Sequence, residues 1–301
     1  MIKKTVASIA FFLGAIILPS LASAHGVIGQ RFFVESVTVL DPFPSDEMDL
    51  LAISHTKNND GSSTTEFSGG IAKRLSPNLD LGFAWTYDRD SNPSASGFRD
   101  LNIALKYTMV RSPEHEFLAT AAVEWAVGGT GAASIVGDSH SSLQPEILFG
   151  YGLGDLPDAL GYIRPFGITG QLGINSPVGN AATNTSALAY GLVVEYSILY
   201  LQSFVKDVGI SWPFNRIVPM VEFAGSSPLN GPPGPASLTA FPGLTWAGHY
   251  YQMTIEAISP INAASGVHPG VQALLHLYLD DMFPRTYTWT PFYGVLGPTQ
   301  K

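Results

Sequence analysis

The chain has no cysteine among its 301 residues, which excludes a disulfide framework and any thiolate metal site. Charge is scarce too. Asp, Glu, Lys and Arg make up 13 % of the residues against roughly 25 % in soluble domains, while the hydrophobic share is an ordinary 46 %. A water-soluble protein of this length needs a more charged surface. After the first two dozen residues there is no run of uncharged apolar residues long enough for a spanning helix, so helical membrane crossing is excluded. Basic residues are also few, 15 against 24 acidic ones, for a net charge of −9. Nucleic-acid phosphates demand the opposite sign, so no nucleic-acid partner is expected. One route across a bilayer remains for such a chain: a closed β-barrel, in which inter-strand bonds satisfy every backbone group.

The first residues follow the order of an export signal. Lys3 and Lys4 precede an uncharged run from Val6 to Leu21, and the small residues Ala22, Ser23 and Ala24 follow it. Residues 1–24 are therefore expected to be a signal peptide, with His25 as the mature N-terminus.

What the sequence does contain is period-two alternation. From Leu79 to Asp88 one face carries Leu79, Leu81, Phe83, Trp85 and Tyr87, and the other Asp80, Gly82, Ala84, Thr86 and Asp88. Leu101 to Met109 and Phe117 to Val127 repeat the pattern. The remaining strands are expected at Met48 to Lys57, Ser63 to Leu75, Ser141 to Leu153, Tyr162 to Asn175, Ala187 to Tyr200, Arg216 to Gly225, Ser237 to Trp246, His249 to Ser259 and Val267 to Leu279. That makes about twelve, and an even count leaves both ends of the barrel on one side.

The links alternate as outer-membrane barrels require. Ser76-Pro77-Asn78, Arg111 to Glu114 and Ala247-Gly248 are tight, whereas Ser91 to Gly97, Gly128 to His140, Ser176 to Ser186 and Ser226 to Ala236 are long and polar or rich in Gly and Pro. The long link Leu201 to Asn215 breaks the alternation and is expected to hold a short helix or a bend. A soluble sandwich also alternates, but its second face would carry Lys, Glu and Arg for water. Here that face is mostly Gly, Ala, Ser and Thr, which suits an enclosed lumen. Trp85, Tyr87, Trp125, Tyr162, Tyr200, Trp246 and Tyr251 fit interfacial girdles.

With the apolar faces toward lipid, the opposite faces set Glu66, Glu124, Glu146, Glu195, Glu222 and Glu256 in the lumen, with Arg74 and Lys106 as the evident cations. An acidic lining favours cations or neutral polar solutes, unless each Glu pairs internally and fills space. Glu195 and Glu222 lie on successive strands at comparable depth and are expected to face each other. His276 shares the inward face of the last strand with Gln272 and Tyr278, beside Gln252 and Glu256, as a metal ligand, an acid/base group or a hydrogen-bonded filler. His25 could chelate copper through its free amine and imidazole. An enzyme needs a nucleophile with an acid and base on neighbouring strands, and the one compact set, Asp138-Ser139-His140, sits in a single loop. No catalytic residue and no cofactor are therefore expected.

The two ends carry aromatic residues that free tails lack: Phe32, Phe33 and Phe43 in residues 25–47, and Trp289, Phe292 and Tyr293 in residues 281–301. Each segment is expected to plug the lumen, cover the base of the barrel 48–280, or dock a partner in the envelope. The ends also carry a resemblance. His25-Gly26, Gly29, Arg31-Phe32-Phe33, Asp41-Pro42-Phe43 and Asp46-Glu47 at the start, with Leu277, Leu279-Asp280-Asp281 and Phe283-Pro284 at the end, resemble a group of bacterial outer-membrane barrels. That group is similar to the barrels labelled as belonging to the MetA pathway of phenol degradation and described as transporters. The resemblance implies an outer-membrane location and passage of small organic molecules, and it carries no catalytic residues. This chain departs from a common barrel ending, because Asp280 to Lys301 continue beyond the last strand. The expected architecture is all-β, a closed antiparallel transmembrane barrel. The expected function is a channel or facilitated-diffusion transporter for a small solute, with outer-membrane lipid as its other partner. A copper-binding envelope barrel and a barrel enzyme are the alternatives.

Overall fold

The computed structural model describes residues 26–137, 140–179, 185–230 and 234–292. The expected signal 1–24, His25, Asp138, Ser139 and Tyr293 lie outside the described residues.

Two short strands near the start, β1 (Val27–Ile28) and β2 (Arg31–Phe32), pair as a hairpin. Then come β3 (Glu47–Lys57), β4 (Ser63–Ser76), β5 (Leu79–Ser91), β6 (Ser94–Phe98), β7 (Leu101–Ser112), β8 (Phe117–Val127) and β9 (Ser142–Gly152). The chain continues through β10 (Phe166–Pro177), β11 (Ala187–Tyr196), β12 (Ile217–Pro228), β13 (Ser237–Ala247), β14 (Tyr251–Pro260) and β15 (Gly270–Tyr278). From β3 onward each strand pairs antiparallel with the next, except that β7 pairs with β5 rather than with β6, and β15 pairs with β3. That ring leaves no open edge. Both β6 and β7 pair with β5, on successive stretches, so they form one stave interrupted at Arg99 and Asp100. The barrel therefore has twelve staves.

The pleat sorts the side chains. Ile255 is 58 % exposed and its neighbour Glu256 2 %; the same alternation exposes Phe83, Leu105, Met109, Ile147, Leu172, Leu244 and Met253. The apolar rows point outward, toward where acyl chains lie. Inward positions are buried although they are polar: Asp80, Lys106, Thr120, Glu195, Glu222, Thr245, Gln252, Glu256, Gln272 and His276.

Several expected boundaries move. β10 begins at Phe166 rather than Tyr162, because Asp158–Ile163 form a 3-10 turn held as Arg164 Nε donates to the carbonyl of Leu156 at 2.5 Å. β11 stops at Tyr196 rather than running to Tyr200. The Ser197 hydroxyl accepts the Tyr200 N–H at 3.1 Å and starts a helical turn, Ile198–Tyr200, which continues as a π-turn over Leu201–Val205. The long link thus does hold a short helix. β14 begins at Tyr251 rather than His249, since Gly248 closes a turn onto the Tyr251 carbonyl at 2.9 Å, and β15 begins at Gly270 rather than Val267. The stretch 91–97, expected as loop, contains β6 instead. Leu79 to Asp88 and Leu101 to Met109 extend to Ser91 and Ser112.

Candidate functional site

The lumen is occupied by the chain's own start. The hairpin β1–β2 sits at the end of the barrel where β3 begins and β15 ends; from there the chain climbs to Val37, Thr38 and Val39 and descends to Glu47. Ile28, Phe33 and Phe43 pack with Leu118 of β8, and Val34 and Val39 pack with Val193, Val218, Met220 and Ala247. A barrel whose wall turns apolar side chains outward thus has a small interior core of its own, supplied by the threaded segment.

Backbone polarity dictates the rest. An irregular segment inside a barrel has N–H and C=O groups with no ladder to join, and each costs free energy unless something accepts or donates. The wall supplies those partners from alternate, inward positions. Glu195 accepts the Val34 N–H at 3.0 Å. Gln252 brackets Glu35, accepting its N–H at 3.2 Å and donating to its carbonyl at 2.7 Å. Glu222 accepts three successive N–H groups, from Val37 at 2.8 Å, Thr38 at 3.0 Å and Val39 at 3.1 Å. Gln171 accepts the Leu40 N–H at 2.6 Å, and Thr120 donates to the Pro42 carbonyl at 2.6 Å.

The two ends of the segment are clamped by charge. Arg31, fully buried, donates from Nε to Glu116 at 3.2 Å and from its two terminal nitrogens to the carbonyls of Pro165, at 2.8 Å, and Arg164, while its guanidinium lies 3.9 Å from the centre of the Tyr200 ring. At the other end Asp46 takes Lys73 at 2.6 Å and Arg74 at 3.3 Å, and Arg74 also reaches Asp280 at 3.3 Å. The tail covers this end of the barrel: the Phe292 N–H donates to the Leu75 carbonyl at 2.8 Å, and Lys73 lies 5.2 Å from the centre of the Trp289 ring.

The predicted site residues are therefore sorted into distinct groups. Lys106 stands between Asp80 at 3.4 Å and Glu47 at 3.9 Å and donates to the Phe43 carbonyl at 2.7 Å. Glu195 and Glu222 do not face each other as expected, because the register sets Glu195 opposite Met220 and Glu222 opposite Val193. Glu222 instead meets Glu256, two staves away, across Gly243. Any side chain at 243 would collide, since a Cβ there would lie 2.4 Å from Glu256 Cγ. Gln272 donates to the other side of Glu256 at 2.6 Å and to the Thr38 hydroxyl at 3.0 Å. Gln144 donates to both Glu124, at 3.4 Å, and Glu146, at 3.2 Å. Glu66 pairs with Arg99 near the loop end of the barrel.

His276 finds its carboxylates on β3 rather than on β14. Its Nδ1 lies 2.8 Å from Asp49 and its Nε2 3.5 Å from Glu47, across the seam that closes the ring. Glu35, Asp41 and Glu47 bring carboxylate oxygens within 4.8 Å of one another, an all-oxygen set that suits hard cations rather than copper. Glu35 and Asp41 lie outside the strands, and burial, with neighbouring carboxylates, pushes both above the ordinary carboxylate range. Sequence reasoning missed Arg31 as the base clamp and Glu116 as its partner. The one available signal was an unpaired Arg in a segment otherwise apolar and acidic.

Space remains around the threaded segment. A chamber of about 390 Å³ lies above its apex, lined by Thr38, Ser54, Glu66, Phe241 and Gln272. A narrower one, about 110 Å³, runs beside it between Glu35, Leu40, Asp80, Lys106 and Glu124.

The fold is that of the bacterial outer-membrane β-barrels. The outer membrane channel COG4313 from Pseudomonas putida F1 superposes on 81 % of this chain and 99 % of its own with a TM-score of 0.54, at 12 % identity. The NanC porin covers 76 % of this chain and 98 % of its own at 6 % identity and a TM-score of 0.47. Phospholipase A from the outer membrane of Escherichia coli covers 80 % and 98 %, at 13 % identity and 0.41. Neither a family model nor a curated protein matches the sequence.

Proposed function

We propose that this barrel is an outer-membrane channel for small organic solutes, narrowed by residues 26–46. The observation that carries the reading is the row of wall side chains, Glu195, Gln252, Glu222 and Gln171, bonded to the threaded backbone. A twelve-stave barrel is wider than the roughly eight-stranded barrels that wall side chains alone can fill, so the threaded segment sets the width of the remaining path. A segment tied by side-chain hydrogen bonds is separable from the wall without breaking the ladder. Three of the five links at the hairpin end, after β4, β7 and β13, are short turns, which marks that end as periplasmic. A solute enters the outer chamber, passes beside Leu40 and Lys106, and leaves at the base.

Under this reading Glu195 and Glu222 act on the segment rather than on the permeant, while Glu66 and Glu124 line the solute's route, so selectivity comes from width, from these two lining carboxylates and from the segment's own side chains. The absence of cysteine supplies a clean test. Thr38→Cys, in planar bilayers, should lose conductance when a charged methanethiosulfonate is added from the loop side, and a chain lacking residues 26–44 should conduct several-fold more than the intact one. A barrel with no measurable conductance in either form would remove the channel reading.

A further inference from the structure

Beside the hairpin, at the terminal end of the barrel, lies a cavity of about 220 Å³ that the clamps do not use. Phe32 closes it on the hairpin side, Leu199 from the helical turn after β11, and Val218 and Ala247 from the inner wall. Apolar cavities of about 150 Å³ take up benzene, so this one has room for a single ring and a polar head. Its polar lining is unequal. Arg216, at the foot of β12, reaches the cavity half-buried, and its guanidinium has no hydrogen bond, ion pair or ring contact among the described residues. Arg31, Arg74, Arg99 and Arg164 each have a carboxylate, whereas Arg89, Arg111 and Arg285 share with Arg216 the lack of an ion pair among the described residues; of these four, Arg216 is the one that lines this cavity.

An unpaired guanidinium at the edge of an apolar pocket presents its planar fork of donors to a carboxylate. His249 stands on the same rim as a second donor, and Asp281 faces it with the opposite charge. A ligand with one anionic group satisfies Arg216, whereas a second anionic group would meet Asp281. We infer that this cavity is a binding site for small organic monoanions, with a ring-sized apolar body between Phe32 and Val218 and the carboxylate on Arg216. Because Phe32 belongs to the threaded segment and also packs edge-on against Tyr278, with ring centroids 6.4 Å apart, the ligand touches both segment and wall. The inference deepens the channel reading by naming the class of permeant and rests on it only for transit, since occupancy requires no flux.

The test is calorimetric titration of the full chain, in a non-ionic detergent, with benzoate and separately with benzyl alcohol as the uncharged control. Benzoate should bind the intact protein, and Arg216→Gln should weaken it about tenfold or more, the value of a charged hydrogen bond, while leaving benzyl alcohol unchanged. Ala247→Leu fills the cavity and should abolish both. Leu199→Trp, at a half-buried position, fills it from the other wall and serves should Ala247→Leu fail to fold. No benzoate binding by the intact chain, or binding that both Arg216→Gln and Leu199→Trp leave unaltered, overturns the site. Benzoate bound with no conductance removes the channel reading and keeps the site; conductance without benzoate binding does the reverse.

Discussion

Arg31 and Glu116, 85 residues apart in sequence, meet as a buried ion pair at 3.2 Å and fasten the start of the threaded segment to the turn between β7 and β8. Everything else in the segment hangs from that knot and from its counterpart at Asp46. Removing one partner leaves a charge with no water and no counter-ion, which costs more than the pair itself contributes.

Arg31→Met should therefore lower the stability of the folded chain by roughly 3–5 kcal/mol. The measurement is thermal unfolding followed by circular dichroism. Arg31→Met combined with Glu116→Leu should recover part of the loss, because two apolar groups replace a paired charge. No recovery in the double variant would show that the pair is not the relevant contact.

At the apex the acceptor count decides. Glu222 offers two carboxylate oxygens to three N–H groups, and an amide in its place offers one oxygen. Glu222→Gln should cost about 1.5–3 kcal/mol locally and speed amide hydrogen exchange at Val37, Thr38 and Val39, with the barrel strands unaffected. Exchange that is unchanged at those three amides would contradict the assignment of Glu222 as their anchor.

Gly152 tests the base clamp by shape alone. A Cβ at this position would lie 2.0 Å from Glu116 Oε2 and 2.8 Å from Arg31 Nε, so neither group could keep its place. Gly152→Ala should destabilise by about 1–3 kcal/mol, as overpacking does, and should be nearly silent in the background of Arg31→Met with Glu116→Leu. Equal losses in the two backgrounds, read from denaturation curves, would rule out the clash.

The acidic cluster gives the segment a pH dependence with a definite sign. Glu35 and Asp41 are raised above their ordinary values, first by burial and then, for Glu35, by Asp41, Glu47 and Asp49 and, for Asp41, by Glu47, against the lowering effect of Lys106. A raised carboxyl favours the protonated, threaded form. Its contribution is complete below the unfolded value and fades as pH rises through the folded one. Protease cleavage within residues 30–45 should accordingly be faster at pH 8 than at pH 5, and the difference should shrink in Glu35→Gln. A faster rate at the lower pH would reverse the argument.

Much of the barrel was legible because a strand's two faces are written with period two and depend on no distant residue. Phe83, Trp85, Leu105 and Trp125 declare their outward face locally, and the small residues between them declare a lumen. The link 201–215 was legible as irregular from its length where a short turn was due, though a helix and a bend were equally open and the structure decides for a helical turn. Strand ends were less so: Tyr162 and Tyr200 fit the pattern, but a turn capped by Ser197 and another held by Arg164 end the strands earlier.

The interior partners were another matter. That Glu222, Glu256 and His276 point inward follows from parity alone, yet which groups they meet depends on register and on the closing seam between β15 and β3. Register offsets Glu195 from Glu222 by two residues, and Gly243 lets Glu256 lean across instead. The sequence by itself determined a transmembrane barrel, since lipid and lumen each select side chains residue by residue. Only the tertiary structure decided that residues 26–46 occupy that lumen and bind its acidic wall, because a backbone N–H carries no side-chain signature and its acceptors lie up to 217 positions away.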